Sequence, residues 1–202
     1  MPAIWLPEPP AGTHVTLGFD GSDSDDFTAL RGRTRDGLAF TPRHGDDDRP
    51  TIWNPAETGG RIPRLEVDAA VDRAFERFTV ARFYYDPPGW ETQGEAWALR
   101  HGGERVVGWE TYRTRQMHEA LRRYYTDLTN RKFTHDGCPL TAQAALNARK
   151  APRGDRYILA KPAQHQKIDA VMADVLSHEA WCDMWATGWE IDTGPTYFRL
   201  PR

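Results

Sequence analysis

One run constrains the fold more than any other. Val80-Ala81-Arg82-Phe83-Tyr84-Tyr85 is almost unbroken in apolar and aromatic residues, Arg82 alone being polar. A strand with one wet face alternates; a strand without alternation is covered on both sides, as internal strands of α/β sheets are. The run stops at Asp86-Pro87-Pro88, where proline removes the backbone donor and holds the residue before it extended. An ionisable side chain is thereby placed at the C-terminal end of a buried strand.

The rest of the chain supplies partners for that strand. Residues 15–20 and 27–33 read as two strands joined by the acidic turn Gly21 to Asp25, with a third strand at 38–40 and a short one near Ile52-Trp53. Val67, Val71, Ala74, Phe75 and Phe78 fall on one face of a helix over 65–78. Met117, Leu121, Tyr124, Tyr125 and Leu128 repeat that spacing over 114–129. Further helices are expected over 90–100, 139–148 and 167–186, and strands over 105–109 and 157–160. Residues 1–13 are Pro-rich and read as a leader or linker with an exposed Trp5, and 14–202 as one domain. Strands in a hairpin set, then strands alternating with helices, predict a mixed sheet flanked by helices on both faces. Periodicity alone leaves several α/β architectures open.

Composition narrows the class without naming a function. With 202 residues, 39% hydrophobic and 27% charged, the chain is long enough for one filled core. No apolar run approaches the roughly 20 residues of a membrane span, and residues 1–10 lack the pattern of a secretion signal. Cys138 and Cys182 are too few and too far apart in sequence for a disulfide framework or a zinc site. The net charge of -3 does not advertise nucleic-acid binding, but a site rich in acid needs base only around its rim. Arg113, Arg115, Arg122, Arg123, Arg131 and Lys132 make one basic stretch. Arg149, Lys150, Arg153, Arg156, Lys161 and Lys167 make a second, leading up to Asp169.

Three aspartates stand in contexts that let them converge. Asp20 ends Val15-Thr16-Leu17-Gly18-Phe19, Asp86 ends the buried run, and Asp169 opens a helix pattern. Each alone has a bland reading: a cap for Gly21-Ser22, a strand-end turn, and an acid at a helix N-terminus. Together they make an oxygen-rich pocket suited to hard divalent cations. The small neighbours Ala170 and Ala173 let that last helix approach the sheet closely enough to bring Asp169 to the strand ends. Asp26 returns toward Asp20 across the turn and is a second-rank acid. Asp23, Asp25 and Asp46-Asp47-Asp48 read as solvated, and Asp174 points about 140° around its helix from Asp169.

The blocks "VTLGFDGSDSDDFTAL", "ARFYYDPPGW", "THDGCPL…NAR" and "KIDAVMADVL" occur in this order between Val15 and Leu176. In that order they resemble the nuclease domain of the large terminase subunit of tailed bacteriophages, in the version found in phages of actinobacteria. The resemblance implies an RNase H-like fold and a metal-dependent endonuclease that cuts concatemeric phage DNA. It implies catalytic, metal-holding Asp20, Asp86 and Asp169, with Asp26 in support, and two Mg²⁺ or Mn²⁺ ions as cofactors. It places His135 of "HDG" near the site, either in proton transfer or in a structural role. Double-stranded DNA is the implied partner; the charge of the second basic stretch places Arg153, Lys161 and Lys167 as its phosphate contacts. An ATPase domain, a small terminase subunit and a portal are further implied partners, and the host bacterial cytoplasm the place of action. No Walker pattern occurs in the 202 residues, so the chain reads as the nuclease module alone. Junction resolvases, recombinases and ribonucleases H use similar acids on the same scaffold, and a non-catalytic docking module is a further alternative.

Overall fold

The computed structural model describes residues 5–189. In chain order the first half contains β1 (His14–Asp20), β2 (Thr28–Thr34), β3 (Leu38–Phe40), β4 (Arg43–His44), β5 (Arg49–Pro50), β6 (Ile52–Trp53), a 3-10 turn at Pro55–Glu57, α1 (Arg64–Arg77) and β7 (Thr79–Tyr85). The second half contains α2 (Glu91–His101), β8 (Val106–Gly108), α3 (Thr114–Thr129), β9 (Thr134–His135), α4 (Pro139–Asn147), β10 (Arg149–Arg153), β11 (Arg156–Ala160) and α5 (Asp169–Thr187). The main sheet runs β8-β7-β1-β2-β3-β9, with β6 also paired to β2. β1, β7 and β8 are parallel, and β2 is antiparallel to β1. The architecture is a mixed sheet between helical layers, the RNase H-like arrangement.

Period-two alternation along β1 decides which helices each residue meets. Val15, Leu17 and Phe19 join Val67 and Val71 of α1, Trp97 of α2 and the preceding Trp90 in one core. Thr16, Gly18 and Asp20 face α5 instead. The Thr16 hydroxyl donates to the Ser177 carbonyl at 2.9 Å. A Cβ on Gly18 would lie 2.1 Å from the Ala173 carbonyl oxygen and 2.3 Å from the Ser177 nitrogen. Glycine at 18 and alanine at 173 therefore let a helix and a strand meet backbone to backbone, as the small residues of that helix suggested. A second core, around Tyr84, Met117, Leu121, Val175 and Leu176, joins this face to α3 and α5.

The same face carries an ion network that sequence patterning did not foresee. Arg31 and Arg33 of β2 are 1% and 0% exposed. Arg31 bonds Asp174 at 3.2 Å and Asp136 at 3.1 Å, and Arg33 bonds Asp174 at 3.1 Å. Tyr124 adds a hydroxyl to Asp174 at 2.7 Å. Burial pushes the Asp174 carboxyl up, but Arg33 and Arg31 outweigh it and hold the group below the usual carboxylate range. Asp174, set aside as a ligand, is thus the internal counter-ion that joins α5 to β2.

Several details differ from expectation. Trp5 is half-buried: its indole N–H donates to Asp136 at 3.1 Å, and Arg43 stacks 3.8 Å above its ring. Glu8 pairs with Arg77 at 2.5 Å, so residues 5–13 lie against the domain. Residues 149–153 pair with 156–160 as a hairpin around Gly154-Asp155, with Gly154 at φ +66, where only the second strand was expected. The last helix begins at Asp169, which leaves Lys167 in the segment before it. The end of the expected domain, 190–202, lies outside the described residues.

Gly18→Ala should destabilise the protein by about 2 kcal/mol or more, because the new methyl meets backbone that cannot rotate away. Asp174→Asn should cost about 3 kcal/mol or more, since two buried guanidinium groups lose their shared charge partner. Urea denaturation measures both; losses under about 0.5 kcal/mol would contradict this account of the packing.

Candidate metal centre

The parallel pairing of β1 with β7 puts Phe19 opposite Tyr85, so Asp20 and Asp86 emerge side by side at the C-terminal strand ends. The Asp86 amide donates to the Phe19 carbonyl at 3.0 Å, extending the ladder to the acid itself. Asp86 follows Tyr84 by two positions, and Tyr84 packs on the α5 side; Asp20 follows Gly18 by two on that same side. Asp169 arrives from above as the first residue of α5, whose positive end favours a carboxylate. Two strands and a helix thus bring the three expected acids together.

Their electrostatics reflect that convergence. Asp20 is raised well above the usual carboxylate range, first by burial and then by the charges of Asp169, Asp86 and Asp26. Burial raises Asp169 to about 6. Its own backbone N–H and the ammoniums of Lys161 and Lys167 pull it down, while Asp26 pushes it further up. Burial also raises Asp86, against two bonds from Thr111: the amide to Oδ1 at 3.1 Å and the hydroxyl to Oδ2 at 2.6 Å. Thr111 thereby fixes both oxygens of Asp86. No sequence signal marked it, being a single threonine in a turn.

The donors are all carboxylate oxygens, the chemistry of a hard divalent cation site. Asp169 Oδ2 is buried and has no hydrogen-bond partner, an orphaned lone pair that a cation would satisfy. The residues present therefore fit divalent metal. Their oxygens do not all lie within 4.8 Å of one another; among the described residues only Asp127, His178 and Cys182 form such a three-donor group. That group is already satisfied internally. Asp127 takes Lys132 at 2.8 Å and His178 at 3.1 Å, and burial drives the Cys182 thiol up to about 12 and His178 down to about 4.

The remaining expected site residues divide. Asp26 does return beside the cluster, but Lys161 holds both its oxygens at 2.5 and 2.6 Å and Lys167 holds one at 2.8 Å. Against the upward push of burial, the two lysines keep the Asp26 carboxyl below its ordinary value. Arg153 lies on the exposed β10. His135 sits on β9 at the sheet edge beyond β3, accepting from the Gly137 amide at 3.1 Å. It is an exposed edge-strand residue remote from the acids, because the topology puts three strands between β9 and β7. The first basic stretch is largely spent internally: Arg113 pairs with Glu110, Arg115 with Glu119, Arg123 with Glu179 and Lys132 with Asp127. Among the described residues the hairpin cations Arg149, Lys150, Arg153 and Arg156 make no ion pair, and Lys150 instead lies over the Tyr125 and Tyr157 rings at 4.7 Å.

No family model matches the sequence. The Gene 13 protein of Mycobacterium phage D29 is 34% identical over 182 residues, covering 84% of this chain and 29% of that protein. The Gene 13 protein of Mycobacterium phage L5 is 32% identical over the same shares. The chain thus spans less than a third of the length of the curated relatives it matches. In structure it is similar to the HK97 bacteriophage large terminase, with a TM-score of 0.64 at 16% identity over 87% of this chain and 40% of that one. It is also similar to the large terminase nuclease of thermophilic phage G20c with bound magnesium (TM-score 0.62, 12% identity, 88% of this chain and 92% of that one). The Thermus phage P74-26 large terminase nuclease domain gives a TM-score of 0.63 at 11% identity, over 87% of this chain and 90% of that one. These likenesses show a shared fold.

Burial of Asp169, with the charge of Asp26 beside it, predicts a pH signature. The folded pKa of Asp169 lies above the unfolded value of 3.8, so the native state binds the extra proton and stability falls as pH rises from about 4 to about 6. Asp169→Asn removes that term. In EDTA its melting temperature should gain on the wild type across this window and keep the gain above it; parallel curves would show that the fold does not raise Asp169.

Proposed function

The chain resembles the nuclease domain of the tailed-phage terminase large subunit in its actinobacteriophage form, and on that premise we propose that it is a metal-dependent endodeoxyribonuclease acting in phage DNA packaging. The observation that carries this reading is the convergence of Asp20, Asp86 and Asp169 at the ends of β1 and β7 and the start of α5. The likeness in fold to large terminase nucleases supports packaging over the resolvase, recombinase and ribonuclease H readings, which share the scaffold.

Asp20, Asp86 and Asp169 would hold two Mg²⁺ or Mn²⁺ ions, whose chemistry when bound is to acidify a water and to offset charge on the scissile phosphate. The protein's part is placement. Thr111 locks the rotation of Asp86, the helix N-terminus orients Asp169, and the ladder bond from Asp86 to Phe19 fixes the spacing of the two strand-end acids. Arg149, Lys150, Arg153 and Arg156 on the hairpin offer charge to a duplex backbone, contacts that position a duplex without reading its bases. In the full packaging assembly the proposed partners are double-stranded DNA, a terminase ATPase domain, the small subunit and the portal, in the cytoplasm of the infected cell. Among the described residues no helix is long and apolar enough to cross a membrane.

Supercoiled plasmid tests the reading. Nicking should require Mn²⁺ or Mg²⁺ and stop in EDTA. Asp20→Asn and Asp169→Asn should each lower the rate by about a hundredfold or more, and Thr111→Val by roughly tenfold through loss of Asp86 orientation. Cutting in excess EDTA, or wild-type rates in both aspartate variants, would refute the metal centre. Duplex binding should be weak, in the range of about 10⁻⁴–10⁻⁶ M near physiological salt, and steeply salt-dependent.

A further inference from the structure

Lys161, Lys167 and Asp26 come from three separate segments and meet beside Asp169. Lys161 follows β11, Lys167 precedes α5, and Asp26 lies in the loop after β1. The side chains are 24%, 19% and 28% exposed, so this is a half-buried cluster and not a loose surface pair. Lys167 also reaches the Asp25 carbonyl, and the Asp26 amide is held by the Ser22 hydroxyl at 3.3 Å. The cluster carries two ammoniums on one carboxylate, leaving an excess positive charge against an acid group whose own charges repel one another. Both lysines act on Asp169, and Asp26 acts on both Asp20 and Asp169, so the cluster shares one field with those two acids.

We propose that Asp26, Lys161 and Lys167 form an exchangeable counter-ion cluster: in the cation-free protein the lysines offset the acids and are parked on Asp26, and divalent cations at Asp20, Asp86 and Asp169 release them to backbone phosphate. The proposal rests on the metal-centre reading given above. Its physical basis is like-charge repulsion between an ammonium and an incoming dication, which a half-buried site screens poorly. Lysine suits the role, because its charge is compact and its stem long enough to swing between two anions. Asp26 is then a positioning residue that stores the lysines. The linkage is reciprocal: metal and duplex each raise the other's affinity by the same factor, and the lysines set part of it.

The test measures binding. Mn²⁺ affinity is determined by calorimetry for the wild type, Lys161→Gln/Lys167→Gln, Asp26→Asn and the triple variant. Affinity for a labelled duplex is measured by anisotropy in Ca²⁺ and in EDTA. The lysine double variant should bind Mn²⁺ more tightly, on the order of tenfold, while showing a smaller Ca²⁺-dependent gain in duplex affinity. Asp26→Asn should weaken Mn²⁺ binding, and the triple variant should restore it, because the freed lysines cause the loss. If the triple variant binds as weakly as Asp26→Asn, Asp26 is a direct ligand and the exchange is wrong. If the lysine variant binds Mn²⁺ no better than the wild type, the cluster is a static brace. Should the wild type bind no Mn²⁺ at all, the metal centre itself falls and the exchange with it. Circular dichroism checks folding, and Lys161→Gln alone, expected at about half the effect on a logarithmic scale, gives the reading if the double variant does not fold.

Discussion

The placement of the candidate metal centre depends on how α5 is locked onto the sheet, and the lock is electrostatic. Asp174 accepts from Arg31, Arg33 and Tyr124 in the interior, and Asp136 holds the far side of Arg31. Charges removed from water tolerate little displacement, because any slip leaves one unpaired. Thr16 and Gly18 then set the approach of the helix to β1 at the level of the backbone. The first residue of the helix, Asp169, is consequently aimed by contacts made one to two turns further along it.

Two groups of acids occupy the same side of one sheet and are treated oppositely. Asp174 and Asp136 have guanidinium partners and sit below their ordinary pKa, against the push of burial. Asp20, Asp86 and Asp169 are raised. The first arrangement is a solved electrostatic problem and stabilises the fold. The second is an unsolved one, and the missing positive charge is what makes it a credible place for metal.

Much of this could be read before the structure. The unbroken run ending at Asp86-Pro87 specified an internal strand and an acid at its end, and helix periodicity located α1, α3 and α5 within two residues. The alanines near Asp169 signalled close helix–sheet contact. What escaped reading was decided by pairing at long range. Arg31 and Arg33 look like a solvent face until one knows that α5 covers it with an acid. The basic character and Pro152 of 149–153 disguised a strand, although Gly154-Asp155 is a usable turn signal. His135 lay in a block suggestive of the site, yet strand order carried it to the opposite edge. The pairing of Asp26 with two lysines needed coordinates, since nothing local links positions 26, 161 and 167.

The order of the acids along the chain has a temporal consequence. Asp20 and Asp86 belong to strands that pair in parallel across an intervening helix, and Asp169 belongs to the last described helix. Contacts of such long sequence separation carry a loop-closure cost that slows folding. On a ribosome, a nascent chain would expose strands and basic segments well before it owned a complete acid set. The three-acid cluster is therefore complete only when α5 has docked on the sheet, so any chemistry proposed for it waits on the finished fold.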